Sequence, residues 1–323
     1  MSSLRYAIIG TGAIGGYYGA RLQQAGCDVH FLLRSDYSAV AASGITVESI
    51  DGDLALPVVN AHCDPATMPP VDVAIVALKT TQNHRLAQLL PTLSPRGAVL
   101  SLQNGFGVEA DITQHLLTQQ KRLPTLLGGL CFICSNKVGP GHIRHLDYGR
   151  ILIGAHNVDS QHHEPTPLMQ AIVADFTRAN VTANTTDDLP MARWQKLVWN
   201  VPYNGLSVVL NATTEEMMAD RGVRSLITTL MEEVVTAANA WGEYLSPGTN
   251  RRLPEDTVNR MLSLTETMQP YRTSMKLDYD EGRRLEVEAI LGHPLRAARL
   301  AGYSPLAMTM LYHQLSFFNA RLR

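Results

Sequence analysis

Three polar residues recur at four-residue intervals in the second half of the chain: Lys196, Asn200 and Asn204. At 3.6 residues per turn this spacing places them in one stripe along a helix, with Ser207 and Asn211 within about 60° of it. Repeated asparagine is a poor choice for a solvated helix face, because it disfavours helix interiors. Its amide suits a small polar ligand, and a lysine adds positive charge and a proton. We predict a functional stripe, with a solvated amphipathic face as the alternative.

A glycine pattern near the N-terminus fits phosphate chemistry. The segment IIGTGAIGGYYGARL has GxGxxG directly after an apolar strand pattern and at the start of a helical pattern. In a dinucleotide-binding turn, Gly10 permits the tight turn, Gly12 lets the backbone approach the pyrophosphate, and Gly15 allows close packing of helix on strand. The helix N-terminus adds free N–H groups and a positive dipole end. The residues predicted to line the dinucleotide site are Gly10, Thr11, Gly12, Ala13, Ile14 and Gly15.

The residue that follows the second predicted strand indicates which dinucleotide binds. Folds specific for NAD place Asp or Glu there to hold the ribose 2′-hydroxyl. This chain has Arg34, followed by Ser35. A guanidinium forks onto a 2′-phosphate and stacks on adenine. We therefore predict NADPH rather than NADH, with an ordinary surface arginine as the alternative.

Two more polar residues each close an apolar run of the first half. In the segment DVAIVALKTTQ the apolar run is closed by Lys79, and in AVLSLQNGFG it is closed by Asn104. The carboxyl ends of parallel strands lie at one edge of a sheet, where ligands of such folds bind. Each residue alone is equally consistent with a solvated strand end, but their shared edge favours a role in ligand binding.

The elements that must position these residues alternate along the first half of the chain. Short apolar runs separated by amphipathic stretches predict a parallel sheet covered by helices on both faces. The predicted strands are Tyr6–Ile9, Val29–Leu33, Val71–Ala77, Ala98–Ser101 and Leu126–Cys134. A helix is predicted over Asn83–Leu93, ended by Pro95 and Gly97.

After about residue 181 the pattern changes to apolar residues three and four apart, which predicts long helices. These helices are Met191–Leu210, Ser225–Trp241 and Pro254–Met268. The stretch Asn184–Pro190 carries turn and cap residues with little apolar content, so it marks the boundary. The prediction is a Rossmann-type, doubly wound α/β domain over residues 1–187 and an all-helical domain over residues 188–323.

The bulk composition argues against several kinds of partner. Among 323 residues, 27 are basic and 29 acidic, so a net charge of −2 gives no bulk attraction to nucleic acid or to an anionic membrane. The N-terminus lacks the pattern of a signal peptide, and no run approaches the roughly 18 apolar residues of a membrane helix. We expect a cytoplasmic protein that acts on small molecules.

The four cysteines do not suggest a disulfide framework in a chain of this length. Cys131 and Cys134 form a CxxC, which in other contexts marks redox chemistry or half a zinc site. They lie in a predicted buried strand, where residues three apart point to opposite faces and cannot readily bridge or share a ligand. No second CxxC or HxxxH completes a metal site. We predict structural cysteines and no metal.

The chain resembles the ketopantoate reductase family along nearly its whole length. The resemblance rests on GTGAIGGYYGA, Arg34, ALKTTQ, SLQNGFG, KLVWNVPYNGLS and TSMKLDYDEGRRLEVEAILGHPLRAA. The KxxxNxxxN spacing, combined with the distance from Ser274 to Glu286, is far more specific than the glycine motif. The resemblance implies NADPH-dependent reduction of 2-dehydropantoate to (R)-pantoate, a step of pantothenate and coenzyme A biosynthesis.

The family's functional residues map onto this sequence position by position. By resemblance, Lys196 would be the general acid that protonates the oxygen of a 2-keto acid as NADPH delivers hydride to carbon. Asn200, Asn204 and Ser274 would hold substrate oxygens, and Asn104 would lie between substrate and nicotinamide.

The remaining implied roles concern the cofactor. Glu286 would approach both the cofactor and the catalytic lysine, although a two-residue misalignment would exchange it for Glu288. Arg34 and Lys79 would face the adenosine phosphate. The chain departs from the family at His293, where a different residue is commoner.

Three questions stay open from the sequence. The substrate is 2-dehydropantoate or another branched or bulky 2-keto acid. A catalytically silent NADP-binding sensor is a further alternative, which the presence of Lys196 and its polar neighbours argues against. The oligomeric state is open, with a homodimer as the commonest outcome for such enzymes.

Overall fold

The computed structural model describes residues 4–119, 123–156 and 164–322, which form two compact units. The first, the sheet unit, holds the described residues of Met1–Gln103 and Val108–Leu189. The second, the helical unit, holds those of Asn104–Gly107 and Pro190–Arg323. Four residues from the first half of the chain therefore pack as part of the helical unit.

The sheet unit contains ten strands and five α-helices among its described residues. The strands are β1 (Arg5–Ile9), β2 (Asp28–Leu32), β3 (Ile45–Ser49), β4 (Leu54–Leu56), β5 (Asn60–His62), β6 (Val71–Val76), β7 (Leu93–Ser101), β8 (Thr125–Gly139), β9 (His142–Ala155) and β10 (Ala183–Thr186). The helices are α1 (Ala13–Gln24), α2 (Tyr37–Ser43), α3 (Leu86–Leu89), α4 (Val108–Thr118) and α5 (Pro167–Arg178). Short 3₁₀ turns cover Pro65–Thr67 and Thr80–Arg85.

The strands form one mixed sheet in the order β4-β3-β9-β8-β7-β6-β1-β2-β5, and β10 pairs with β9. All pairs are parallel except β3 with β4 and β8 with β9. Strand β1 lies between β2 and β6, so the chain reverses its direction across the sheet at β1. In doubly wound folds, ligands bind outside the carboxyl ends of the strands at such a reversal.

Helix α1 packs closely on β1 and β2 because its inner face is made of small residues. A Cβ atom on Gly19 would lie 2.6 Å from the Phe31 ring and 2.8 Å from Ile8 Cγ1. The central strands are buried along almost their whole length, as expected for a sheet that is covered on both faces.

One local prediction for the first half is wrong. The predicted helix Asn83–Leu93 is a 3₁₀ turn followed by α3, which ends at Leu89, and Pro95 and Gly97 lie inside β7. The register with β6 jumps from Val71↔Leu93 to Val73↔Ala98, so an irregularity accommodates the proline, which has no N–H for the ladder. Within the predicted boundary stretch Asn184–Pro190, the residues up to Thr186 belong to β10, which pairs with β9, and the two units divide after Leu189.

The helical unit is built from seven helices and one π-turn within its described residues. They are α6 (Leu189–Val209), α7 (Thr214–Ala219), α8 (Arg221–Leu245), α9 (Thr257–Glu266), α10 (Ser274–Asp280), a π-turn at Glu288–Gly292, α11 (His293–Leu300) and α12 (Leu306–Asn319). The α/β class with a parallel sheet and a helical second half is confirmed. Of the described helices, none has both the length and the apolar content to cross a membrane.

The core of the helical unit is centred on large aromatic side chains. Trp194 of α6 is fully buried, and its ring lies 6.5 Å from that of Trp241 in α8. The ring of Phe106 packs on both, with centroid distances of 4.8 Å and 5.2 Å. Phe106 therefore supplies part of this core from the segment between β7 and α4.

Candidate active site

The glycine turn at the end of β1 has a geometry that only glycine permits at its two outer positions. Gly10 has φ +100°, and a Cβ there would lie 2.8 Å from the backbone nitrogen of Leu78. A Cβ on Gly15 would lie 2.2 Å from the Gly10 carbonyl oxygen and 2.9 Å from Ile8 Cγ2. Gly12 differs, because a Cβ there would meet no atom of the described residues within 4 Å. The turn is thus closed on its inner side and open beside Gly12.

The N-terminus of α1 is available to an anion. Gly12 is the N-cap residue, no side chain caps the helix, and Ala13 and Ile14 begin a first turn without acidic residues. The first N–H groups of a helix have no partner within the helix and attract negative charge. Thr11 Oγ1 donates to the Leu32 carbonyl oxygen at 3.1 Å and ties the turn to β2. These features fit a pyrophosphate.

Arg34 lies two residues beyond the end of β2, and its side chain is exposed. The nearby carboxylate of Asp36 is buried, and Lys137 Nζ lies 2.5 Å from its Oδ2. Burial opposes ionisation of Asp36, but hydrogen bonds from Lys137, Ser35 and the Gly141 N–H hold its pKa below the ordinary value. The negative charge next to Arg34 is therefore compensated within the sheet unit.

A buried amide network, which no local pattern in the sequence indicates, supports the loop after β6. Gln103 Nε2 donates to the Leu78 carbonyl oxygen at 3.0 Å and to Asn83 Oδ1 at 2.7 Å. Asn83 Nδ2 in turn donates to Asp111 Oδ2 at 2.7 Å. Lys79, which directly follows Leu78, is the N-cap residue of the 3₁₀ turn, so this network fixes its backbone.

The predicted polar stripe lies on α6, and its members up to Ser207 are buried or half-buried. Asn200 and Asn204 are only 6% and 3% exposed, Ser207 is fully buried, and Lys196 is half-buried. A solvated helix face is therefore excluded. The prediction is wrong for Asn211, which is exposed at φ +52°, because α6 ends at Val209.

Helix α10 brings Ser274 to this stripe. The backbone N–H of Met275 donates to Asn204 Oδ1 at 3.4 Å. The hydroxyls of Ser207 and Thr273 lie 2.8 Å apart, and Thr273 caps α10 through the Lys276 N–H. Ser274 is the first residue of α10 and is half-buried. Its place beside Asn204 thus depends on hydrogen bonds between the two helices.

Asn104 reaches the stripe from the segment Asn104–Gly107. Lys196 Nζ donates to Asn104 Oδ1 at 2.7 Å. The backbone of the segment is positioned by Gly105 at φ +112°, where a Cβ would lie 2.5 Å from the Ala289 carbonyl oxygen. The Phe106 N–H donates to that oxygen at 2.8 Å. The lysine and the asparagine therefore share one rigid neighbourhood.

The two acidic candidates have different surroundings. Glu286 is 6% exposed, at the start of the segment that leads into the π-turn. The exposed Glu288 accepts a hydrogen bond from the Tyr312 hydroxyl at 2.6 Å and pairs with Arg296 at 3.0 Å. Burial raises the pKa of Glu288, but the contacts with Tyr312 and Arg296 outweigh it and hold that pKa below its ordinary value. Glu288 is thus engaged at the surface, whereas Glu286 lies in the interior.

The four cysteines are free thiols, and Cys131 and Cys134 are both buried in β8. Burial and the nearby Asp147 raise the pKa of Cys134 to about 12, so it stays protonated at neutral pH. Within residues 4–119, 123–156 and 164–322, no group of three His, Cys, Asp or Glu side chains is arranged to hold a metal ion.

An α/β unit with an open glycine turn, followed by a helical unit in which a half-buried lysine shares a helix with two buried asparagines, is the architecture of a nicotinamide-dependent oxidoreductase. The chain belongs to the ketopantoate reductase PanE/ApbA family: the N-terminal family model matches residues 6–158 and the C-terminal model residues 188–319. The resemblance found in the sequence motifs is therefore confirmed.

Individual relatives cover nearly all of the chain. It is 52% identical to the 2-dehydropantoate 2-reductase of a Nostoc species over 324 residues, which span 100% of this chain and 98% of the relative. The crystal structure of 2-dehydropantoate 2-reductase from Geobacter metallireducens is 39% identical, with a TM-score of 0.88, and the match covers 97% of this chain and 99% of that one. D-mandelate dehydrogenase with NADH and anilino(oxo)acetate shares the fold at 18% identity and a TM-score of 0.82, covering 98% of this chain and 99% of that one.

Proposed function

We propose that this protein reduces 2-dehydropantoate to (R)-pantoate with NADPH. The observation that carries the proposal is the half-buried Lys196, hydrogen-bonded to Asn104 and aligned with the buried Asn200 and Asn204 on α6. The 52%-identical Nostoc relative bears the name of this activity. We further propose that residues 1–187 bind the cofactor and residues 188–323 the substrate, with Asn104 added to the second set.

Each residue of the stripe has a role that follows from its chemistry. The reduced nicotinamide, when bound, supplies the hydride to C2 of the keto acid. Negative charge then develops on the carbonyl oxygen, and the Lys196 ammonium stabilises it and transfers a proton, so that an N–H bond breaks and an O–H bond forms. Asn200, Asn204 and Ser274 hold substrate oxygens through their amide and hydroxyl groups.

Cofactor binding is assigned to residues with suitable chemistry. The open space beside Gly12 and the uncapped N-terminus of α1 fit a pyrophosphate, with Gly10, Thr11, Ala13, Ile14 and Gly15 around it. The further assignment is Arg34 and Lys79 to the adenosine phosphate, Asn104 to the nicotinamide side, and Glu286 to the cofactor and Lys196. Arg34 favours NADPH over NADH, because a guanidinium binds a phosphate through two hydrogen bonds.

The direct test is the loss of NADPH absorbance in steady state with 2-dehydropantoate and with a panel of other 2-keto acids. We expect the highest kcat/KM with 2-dehydropantoate. Turnover of another keto acid alone would leave only the wider claim of a keto acid reductase. Lys196→Ala is expected to lower kcat by about 10²–10⁴-fold while NADPH still binds. If the protein is instead an NADP-binding sensor, the wild type will turn over none of these keto acids. An unchanged kcat in Lys196→Ala would remove Lys196 from the mechanism.

We also propose that the protein acts in the cytoplasm as a homodimer. The four free cysteines are consistent with a reducing compartment, and two-fold dimers are the commonest assembly of soluble enzymes. Sedimentation velocity at several protein concentrations tests the assembly, and a single species with the mass of one chain would contradict it.

A further inference from the structure

We propose that Arg193 and His293 are positioning residues that fix Asn104 against Lys196 by clamping the backbone between Asn104 and Gly107. The clamp consists of three hydrogen bonds to this segment, which come from α6, from the π-turn and from the start of α11. Its catalytic consequence rests on the function proposed above for Lys196, whereas its structural consequence does not.

The first contact is the hydrogen bond from the Phe106 N–H to the Ala289 carbonyl oxygen, which the π-turn leaves without a helical partner. The His293 N–H donates to the Glu288 carbonyl oxygen, which closes the wide turn. The next residue, Pro294, has no N–H to donate. The Ala289 carbonyl oxygen therefore lacks the usual donors and accepts the Phe106 N–H at 2.8 Å instead. A buried carbonyl left unpaired would cost free energy, so the π-turn and the segment depend on each other.

The second contact comes from Arg193, which is 4% exposed. Its Nη1 donates to the Gly105 carbonyl oxygen at 3.0 Å. At 100° per residue, Arg193 falls on the same face of α6 as Lys196, one turn before it. One helix thus carries both the group that holds the Gly105 backbone and the ammonium that contacts the adjacent Asn104.

The third contact fixes the other side of Phe106. His293 Nδ1 lies 2.9 Å from the Phe106 carbonyl oxygen. A carbonyl oxygen only accepts, so Nδ1 of this ring carries the hydrogen. Gly107, at φ +69°, lies against the same ring, where a Cβ would come within 3.2 Å of Nδ1. His293 therefore holds the segment through its donor and its shape.

Together these contacts hold the carbonyl and the N–H of the Gly105–Phe106 peptide and the carbonyl of Phe106, directly after Asn104. The side chain of Asn104 then has little freedom to leave Lys196 Nζ, 2.7 Å away. Catalytic rates are sensitive to small displacements: a shift of about 1 Å in a reacting group, even when a distant mutation causes it, can lower the rate about 100-fold. Loss of the clamp should thus lower kcat more than it changes the KM for NADPH.

The experiment compares variants that keep or remove a donor. In His293→Asn an amide N–H can take the place of Nδ1–H, whereas His293→Leu has no donor. We expect His293→Leu and Arg193→Met to lower kcat with 2-dehydropantoate about 10-fold or more, since each removes a buried hydrogen bond. His293→Asn should restore most of that loss, and the KM for NADPH should stay within about 2-fold. His313→Leu, at an exposed position of α12, is the matched control and should leave kcat unchanged.

A second measurement does not depend on activity. Hydrogen exchange of the Phe106 amide reports directly on its bond to Ala289. We expect exchange to accelerate about 5-fold or more in His293→Leu and Arg193→Met, but not in His293→Asn or His313→Leu, with thermal unfolding confirming that each variant folds.

Unchanged kcat and unchanged exchange in both donor-deleted variants would overturn the clamp. Equal damage in His293→Asn and His293→Leu would overturn the role of the donor. If the wild type reduces no keto acid, the proposed function fails, and the exchange contrast alone then decides whether the clamp exists.

Discussion

Lys196 Nζ donates a hydrogen bond of 2.7 Å to Asn104 Oδ1, although the two residues are 92 positions apart in the chain. The lysine lies on α6, and the asparagine follows the carboxyl end of β7. The amide oxygen accepts one of the three ammonium protons and so restricts the rotation of the lysine side chain. The contact gives the candidate acid a defined direction before any ligand binds.

Alanine substitutions at two positions of the glycine turn should affect different properties: stability at Gly15 and NADPH binding at Gly12. Gly15→Ala would place a Cβ 2.2 Å from the Gly10 carbonyl oxygen, so we expect a loss of about 1–3 kcal/mol in the free energy of unfolding. Gly12→Ala meets open space and should leave thermal unfolding unchanged. It should still weaken NADPH binding about 10-fold or more, because the methyl group keeps the pyrophosphate from the backbone. Calorimetric unfolding and NADPH titration of both variants check this, and equal NADPH affinity of Gly12→Ala and wild type would contradict it.

Arg34 is predicted to select the cofactor. Arg34→Ala removes the guanidinium donors and should raise the KM for NADPH by about 10–100-fold, because a hydrogen bond to a charged group contributes roughly 1.5–3 kcal/mol. The KM for NADH should change little, since NADH has no 2′-phosphate. Arg96→Ala, which removes an exposed arginine of β7, is the control. A similar rise in KM for both cofactors would mean that Arg34 does not read the 2′-phosphate.

The acidic pair should respond unequally to neutral substitutions. Glu286→Gln alters an interior carboxylate and is expected to lower kcat about 10-fold or more. Glu288→Gln disturbs only the surface contacts with Tyr312 and Arg296, so kcat should stay within about 2-fold. Steady-state kinetics of both variants distinguishes the residues, and the reverse ranking would assign the role to Glu288.

A buried histidine of the sheet unit gives a prediction for pH. The His145 side chain is fully buried, and its Nε2 lies 3.1 Å and 3.0 Å from the carbonyl oxygens of Asp147 and Tyr148. Its Nδ1 contacts Ser49 Oγ at 2.8 Å, and Asp51 lies 3.8 Å away. Two carbonyl acceptors require the hydrogen on Nε2, so the neutral ring accepts at Nδ1.

Burial lowers the pKa of His145, although Asp51 and the two carbonyl oxygens oppose this shift. The unfolded chain therefore binds a proton at a higher pH than the folded protein, and stability falls as the pH drops below about 6.5. His145→Gln, which keeps a donor for the carbonyls, should reduce the decline in melting temperature between neutral and mildly acidic pH. An unaltered decline would assign it to other groups; His30 and His62, whose pKa values burial also lowers, are the next candidates.

What the sequence could predict of the site depends on how local each signal is. Lys196, Asn200 and Asn204 share a helix face because of the helical period alone, so their alignment was predictable. Arg193 lies on that face as well, but its partner is the Gly105 carbonyl oxygen, 88 positions away. A contact of that range leaves no spacing pattern in the chain.

The same limit applies to the sheet. Strands β1, β2 and β6 are short apolar runs, and their existence follows from local composition. Strand β9, with the sequence HIRHLDYGRILIGA, mixes polar and apolar residues and is fixed by its pairing with β8. The edge strands β4 and β5 have three residues each, too few to show a period. Long-range pairing decides these elements.

The placement of Phe106 has a consequence for how far the protein is modular. The helical half closes its interior with a ring that the chain contributes more than 80 positions before that half begins. A polypeptide that starts at residue 188 would leave Trp194 and Trp241 facing water and the Ala289 carbonyl oxygen without its donor. If the gene were divided at that boundary, the core of the second product would be complete only after that product had bound the segment Asn104–Gly107 of the first product.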